Sequence, residues 1–323
     1  MSRRTYERVH YRLRPAKTIQ RKMICDVLRK LSAFGKLGSY RYVGFGSMYF
    51  SDFVLFHKAL EIKNMLSIEH DVENRDRFEF NRPFSCVEIC YGESTEVLPT
   101  LDWDLRTILW LDYDCQLDHS VLADLELFCT AAQPGSVLIV TVDARPDRPP
   151  DGYPINEHDA YRLEQLKKRL DAESLPAQLA EADLTGWGTA QVSRDIINTQ
   201  IVHMVNERNA ARHPDTAINY KQLFHFWYDD GAKMLTTGGL LHDAGQSALV
   251  EGCDFKSLFF VRTGKQPYVI EVPMLTYREI CHLDASLPVD DCSKVDSPPL
   301  PLHMLEAYAE LYRHFPIFAE TEM

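Results

Sequence analysis

Five short apolar runs punctuate the first half of the chain, at residues 40–43, 65–68, 86–90, 107–111 and 136–142. They are rich in Val, Ile, Leu and aromatic residues and alternate little between apolar and polar. Between them lie segments whose apolar residues recur every three or four positions. Phe53, Leu55, Phe56 and Leu60 mark a helix at 52–60, and Val121, Leu122, Leu125 and Phe128 mark another at 120–129. A short, highly charged helix is expected at 72–82. Apolar runs spaced by amphipathic helices indicate parallel strands covered on both faces. The expected fold class is therefore α/β, a doubly wound and mostly parallel sheet. An N-terminal helix precedes it from Pro15, with Ile19, Met23, Ile24, Val27, Leu28 and Leu31 at helical spacing. Its other face, with Lys17, Arg21, Lys22, Arg29 and Lys30, is expected in solvent.

The pattern changes after residue 142. A Pro-rich turn region at 143–152 forms a seam. Helices are then expected at 156–175 and at 189–211, the latter with Val192, Ile196, Ile197, Ile201, Met204 and Val205 on one face. Residues 218–228 return to strand character, with Phe224, Phe226 and Tyr228 alternating. Asp229-Asp230-Gly231 is a hairpin turn, followed by an extended piece to residue 241. A competing register would make 255–262 the last strand. Helices at 276–283 and 304–314 close the chain. Four units follow from this reading. They are a basic arm and helix (1–39), a nucleotide-binding core (40–145), a helical insertion serving as lid or substrate subdomain (146–216), and a closing segment of antiparallel strands and helices (217–323).

Candidate chemistry sits just past the strand ends, the edge where open α/β sheets bind ligands. The first strand runs into Gly44-Phe45-Gly46-Ser47 and then a helix. A glycine turn lets backbone approach a ligand, and the helix start offers unpaired N–H groups. The second strand ends in Glu69-His70-Asp71, placed where a carboxylate holds a ribose diol. Tyr91-Gly92-Glu93-Ser94 follows the third strand, and Asp112-Tyr113-Asp114 the fourth; Pro134-Gly135 precedes the fifth. Any one of these acids could be a solvated loop residue, but four strand ends in succession argue for a site.

This order of motifs resembles class I S-adenosylmethionine-dependent methyltransferases, over about a third of the chain, and is closest to O-methyltransferases of unassigned substrate. Two positions depart from that pattern. Tyr42 replaces the acid usual ahead of the first glycine, and Met48 stands where a third glycine is common. The resemblance implies S-adenosyl-L-methionine as cofactor, held by Gly44, Phe45, Gly46, Ser47, Glu69, His70, Glu93, Asp112 and Tyr113. It implies Asp112 and Asp114 as catalytic candidates facing the transferred methyl. A carboxylate there would orient or deprotonate an acceptor hydroxyl. The acceptor itself is unknown, and oxygen remains after elimination: Leu-Asp-Tyr-Asp is not the Asn/Asp-Pro-Pro-aromatic motif of exocyclic-amine transfer. No metal is expected, although Asp112 and Asp114, with Asp118 and His119 downstream, could bind a divalent cation, the carboxylates being hard-cation ligands. His225 and Tyr228 are secondary contributors from the closing strands. The rival reading is a non-catalytic sensor of a nucleotide or nucleoside on the same fold.

Composition changes this picture in one respect. The 323 residues carry a net charge of −12, but residues 1–41 hold twelve Lys/Arg against Glu7 and Asp26. The remainder carries 23 basic and 45 acidic residues. Such an arm either contacts phosphates of a nucleic acid or folds onto its own acidic body, and the second is preferred. Eight scattered cysteines without a C-x-x-C pair indicate a reduced, cytoplasmic protein, Cys86 and Cys90 being core residues. No apolar stretch reaches the 18 residues of a membrane span, and no apolar signal region opens the chain.

Overall fold

The computed structural model describes residues 14–295 and 299–316. The expectations for the first thirteen residues therefore lie outside the described residues. An eight-stranded sheet forms the centre, in the order β3-β2-β1-β4-β5-β7-β6-β8. Its strands are β1 (Arg41–Gly44), β2 (Asn64–Glu69), β3 (Val87–Tyr91), β4 (Thr107–Gln116), β5 (Val137–Asp143), β6 (Ile218–Asp229), β7 (Lys233–Asp243) and β8 (Tyr268–Ile270). Strands β1 to β5 are mutually parallel, and β7 runs antiparallel to both β5 and β6. The doubly wound α/β sheet closed by an antiparallel hairpin is thus the fold of this chain. Residues 255–262 do not form the last strand. Its place is taken by β8, which pairs parallel to β6 through Phe226 and Tyr268.

Each sheet face buries its own core. One packs against α1 (Pro15–Lys30), α2 (Ser51–Leu60) and the C-terminal helix Leu302–Leu311, around Phe53, Phe56, Trp110 and Phe226. The other packs against α5 (His119–Ala131), α6 (His158–Arg169) and α7 (Gly188–Asn209), around Leu109, Leu125, Val140 and Ile197. Two shorter helices, α3 (Arg75–Asn81) and α4 (Ser94–Val97), lie in the connections from β2 to β3 and from β3 to β4. The central strands are apolar on both sides because helices cover both faces, which is why their pattern does not alternate.

Three expectations need correction. Strand β4 continues through Gln116, with an irregularity between Asp112 and Gln116, so Asp112-Tyr113-Asp114 belongs to the strand and not to a following loop. Strand β3 begins at Val87 on the sheet's edge, which leaves Cys86 and Cys90 only half-buried. The largest difference concerns α1. Lys17 is 1% exposed and Arg21 8%, where solvent was expected.

Polar groups of the sheet fix α1 in place. Asp230, in the β6–β7 turn, accepts hydrogen bonds from the backbone N–H of Ala16 at 3.2 Å and of Lys17 at 2.9 Å, capping the helix from a distance of more than 200 residues. Pro15 occupies the first turn, where its missing N–H is harmless. Deeper in, Gln20 donates to Thr236, whose hydroxyl lies 2.7 Å from that of Thr141, which in turn accepts from Trp110 Nε1 at 3.1 Å. This chain of hydrogen bonds ties the helix to β7, β5 and β4 and sets the depth at which Lys17 enters the sheet edge.

Candidate active site

The β1 turn is built by internal packing. Gly44 must lack a side chain because a Cβ there would stand 2.6 Å from the Tyr42 hydroxyl and 3.2 Å from the Trp110 carbonyl oxygen. At Gly46 a Cβ would meet the Phe50 ring at 2.5 Å and Ser67 Oγ at 2.6 Å. The Gly46 N–H already donates to Ser67 Oγ at 3.0 Å. The glycines therefore serve close approach within the protein first, and this N–H is not free for a ligand as expected. Ser47 and Phe50 take left-handed conformations, with φ of 48° and 47°. Non-glycine residues in that region cost about 1–3 kcal/mol each and cluster at functional sites.

Around this turn the parallel registers bring the other expected residues to one edge. Gly44 pairs with Ser67 on β2 and with Trp110 on β4, so Glu69 and Asp112 each lie two residues further on, flanking the turn. Glu69 is buried, and burial pushes its carboxyl above the usual range. It accepts the Asp71 N–H at 3.0 Å, while exposed His70 holds Nδ1 3.6 Å from its carboxylate. Gly92 donates its N–H to the Glu69 carbonyl oxygen at 3.1 Å, which places exposed Glu93 next along this edge. Alternation along β4 separates the three residues expected to act together. Asp112 faces the α1 layer with Trp110. Tyr113 faces the other layer, its ring 5.1 Å from that of Phe45 and its hydroxyl donating to buried Asp124. Asp114 is exposed near the strand's end.

Lys17 supplies what the strand-end motif lacks. Its Nζ lies 2.5 Å from Asp112 Oδ1, 3.2 Å from the Tyr228 hydroxyl and 4.9 Å from the centre of the Trp110 ring. Burial lowers its pKa to about 8, partly offset by the Asp112 charge. Asp112 keeps 24% of its side chain accessible, so one face of the carboxylate is held and another is open. Nearby, Tyr42 donates its hydroxyl to Asp52, in the first turn of α2. Asp52 is 8% exposed, and burial pushes its carboxyl up. Pattern reading missed Lys17, Arg21 and Asp52, although one signal was available. Lys17, Arg21, Ile24 and Leu28 are spaced four, three and four apart, which puts both cations on the apolar stripe of α1.

His225 is fully buried with neither ring nitrogen partnered, 5.9 Å from the Trp227 ring and on the α7 side of β6. Tyr228, by contrast, reaches the site through Lys17. Among the described residues no group of His, Cys, Asp and Glu is arranged to hold a metal ion, and no helix is long and apolar enough to cross a membrane.

Three solved structures similar to part of this chain contain SAM or SAH. LepI, solved with SAH and a substrate analogue, matches 62% of this chain at 9% identity and a TM-score of 0.35. The O-methyltransferase TomG from Streptomyces achromogenes, solved with SAM, matches 68% at 14% identity and a TM-score of 0.35. Trm1 from Pyrococcus horikoshii, with S-adenosyl-L-methionine, matches 77% at 9% identity and a TM-score of 0.43. The chain spans 43%, 79% and 64% of their respective lengths. No curated protein matches it. The sequence profile of the family described as "Putative O-methyltransferase" matches residues 9–323. With the profile running over nearly the whole sequence, the chain belongs to that O-methyltransferase family.

Proposed function

We propose that this protein transfers a methyl group from S-adenosyl-L-methionine to an oxygen acceptor at the edge formed by β1, β2 and β4. The observation that carries the reading is the Lys17–Asp112 pair, a carboxylate fixed at 2.5 Å by a buried ammonium and still partly open. The residues fit the cofactor. Glu69 offers a buried carboxylate for a ribose diol, and a buried guanidinium on α1 has an unpartnered Nε. When bound, the cofactor supplies an electrophilic methyl on a sulfonium. The protein's work is positioning and removal of water, together with custody of one proton. Asp112 accepts a hydrogen bond from the acceptor hydroxyl and takes its proton as the oxygen becomes the nucleophile. Lys17, which also donates to the Tyr228 hydroxyl, holds one oxygen of the carboxylate and leaves the other open.

In this reading the insertion at 146–216 is a lid over the sheet's end, covering the face opposite the α1 layer. Its helices α6 and α7 border a small cavity against the ends of β4 and β5, lined by Gln116, Asp143, Arg162, Thr189 and Ser193. Eight free cysteines fit a cytoplasmic location. The test is Asp112→Asn, which keeps an acceptor oxygen for Lys17. Affinity for S-adenosylhomocysteine should stay within about threefold, while turnover falls by about 10²–10⁴, the contribution of a positioned acid or base. If the wild-type protein binds the cofactor but methylates no hydroxyl compound in a broad acceptor panel, the sensor reading replaces this one.

A further inference from the structure

Lys17 is the third residue of α1, in the one turn that a helix's own hydrogen bonds do not hold. The Thr18 N–H reaches the Arg14 carbonyl oxygen at 3.0 Å, so the N–H groups of Ala16 and Lys17 have no acceptor inside the helix. No side chain at Arg14 caps them, and the first turn contains no acid. Both donors go to Asp230, one to each carboxylate oxygen, at 3.2 and 2.9 Å. The Asp230 side chain is 6% exposed, with Arg14 Nε 3.9 Å from it. The start of a helix favours negative charge, and a cation such as Lys17 is out of place there. Asp230 brings the missing charge from the far end of the sheet.

The same hairpin grips Lys17 at its other end. Tyr228, two residues before Asp230, accepts from Lys17 Nζ at 3.2 Å. The turn between the strands is itself braced. Asp229 accepts the Gly231 N–H at 2.9 Å, and Gly231 has a φ of 90°, where a side chain would be strained. Across the sheet, Trp187 ahead of α7 stacks on Trp227, with ring centres 5.1 Å and planes 7° apart. Lys233 Nζ stands 5.1 Å from the centre of the Trp187 ring. The hairpin end is thus seated on the insertion by one face and presents Tyr228 and Asp230 to α1 by the other. We infer that Asp230 is a positioning residue for methyl transfer, fixing the backbone of Lys17 so that Nζ meets Asp112 and leaves one carboxylate oxygen open.

This role rests on the function proposed above, in which the direction of the Asp112 carboxylate matters. Loss of Asp230 releases only the first turn of α1. Further along, Gln20 still donates to Thr236, and Ile19, Met23 and Val27 stay in the core. The fold therefore survives while the residue that touches Asp112 loses its fixed backbone. Misplacement by about 1 Å at a reacting centre costs about 10²-fold in rate, so a frayed turn is enough to be seen.

The test uses the full chain and the hydroxyl compound turned over fastest in the acceptor panel. Asp230→Ala should lower kcat by about 10- to 100-fold and leave KM for S-adenosylmethionine within about twofold. Amide exchange at residues 16 and 17 should quicken by at least about tenfold, with β5 unchanged. Asp230→Asn keeps one acceptor oxygen for the helix start and should recover part of the loss. The deciding measurement repeats Asp230→Ala on Lys17→Met. There it should change kcat by less than about twofold, because the residue it positions is gone. An equal loss of kcat in both backgrounds overturns the role, since Asp230 would then act on the fold at large. Wild-type kcat in Asp230→Ala overturns it as well. Should Asp230→Ala fail to fold, Asp230→Asn carries the same comparison. A wild type that methylates nothing in the panel sinks the proposed function together with this role, whereas turnover that survives Asp230→Ala sinks the role alone.

Discussion

Replacing Lys17 by Met should separate stability from activity. Lys17 is 1% exposed, and its pKa falls from 10.5 to about 8 even with Asp112 as partner. At 1.36 kcal/mol per pH unit, the charged form is disfavoured in the fold by about 3 kcal/mol relative to the unfolded chain. Met fills a similar volume without a charge. Asp112 would lose its partner, but its carboxylate is 24% accessible and water replaces part of the interaction. Lys17→Met is therefore expected to be as stable as wild type at pH 7, or more stable by up to about 2 kcal/mol. Turnover should fall at least tenfold, because the carboxylate loses its orientation.

The pH dependence gives the same argument a sign. Lys17 in the fold releases its proton near pH 8, whereas in the unfolded chain it holds it to 10.5. Between these values the unfolded state binds more protons, so this group makes wild-type stability rise with pH. Below pH 8 its full penalty is present, and above 10.5 the penalty is gone. Urea unfolding at pH 7, 8, 9 and 10 on both proteins isolates the contribution. Wild type should gain on Lys17→Met by about 2–3 kcal/mol across that window. Parallel pH dependences would refute the buried-cation account. So would a variant that loses more than about 2 kcal/mol at pH 7 yet turns over normally, since breaking a needed buried pair typically costs 3–5 kcal/mol.

Two other substitutions test the edge. Glu69→Gln should weaken S-adenosylhomocysteine by about 1.5–3 kcal/mol, the scale of a hydrogen bond to a charge, while leaving affinity for a ligand without ribose hydroxyls unchanged; calorimetry with both ligands reads this. Gly46→Val should lower thermal stability as well as binding, because its side chain enters the Phe50 ring and Ser67 Oγ. Overpacking of that kind costs about 1–3 kcal/mol, so a melting temperature equal to wild type would show that the turn yields more easily than its contacts imply.

The sequence by itself determined the sheet and the edge. Uninterrupted apolar runs at 107–111 and 136–142 can only be strands covered on both sides, and β4 and β5 are buried between two helical layers. The glycine turn, Glu69 and Asp112 fell on that edge because the residues ending parallel strands share one side of a sheet. Spacing also contained the inward aim of Lys17 and Arg21, since a stripe on a helix is a matter of period. It could not say that the stripe's cations find partners, because the partners are far along the chain. Asp112 lies 95 residues from Lys17, Tyr228 lies 211, and the Asp230 carboxylate that fixes the helix's start lies 213. A lysine is buried only where tertiary contacts supply a carboxylate and an aromatic wall, and no local pattern records that supply. The same holds for β4, whose last five residues stay extended because β5 runs on beside them to Asp143. Local periodicity gave the apolar residues that face inward but set Lys17 and Arg21 in solvent, and only the packing of α1 across the sheet's end buried them and decided which charges meet there.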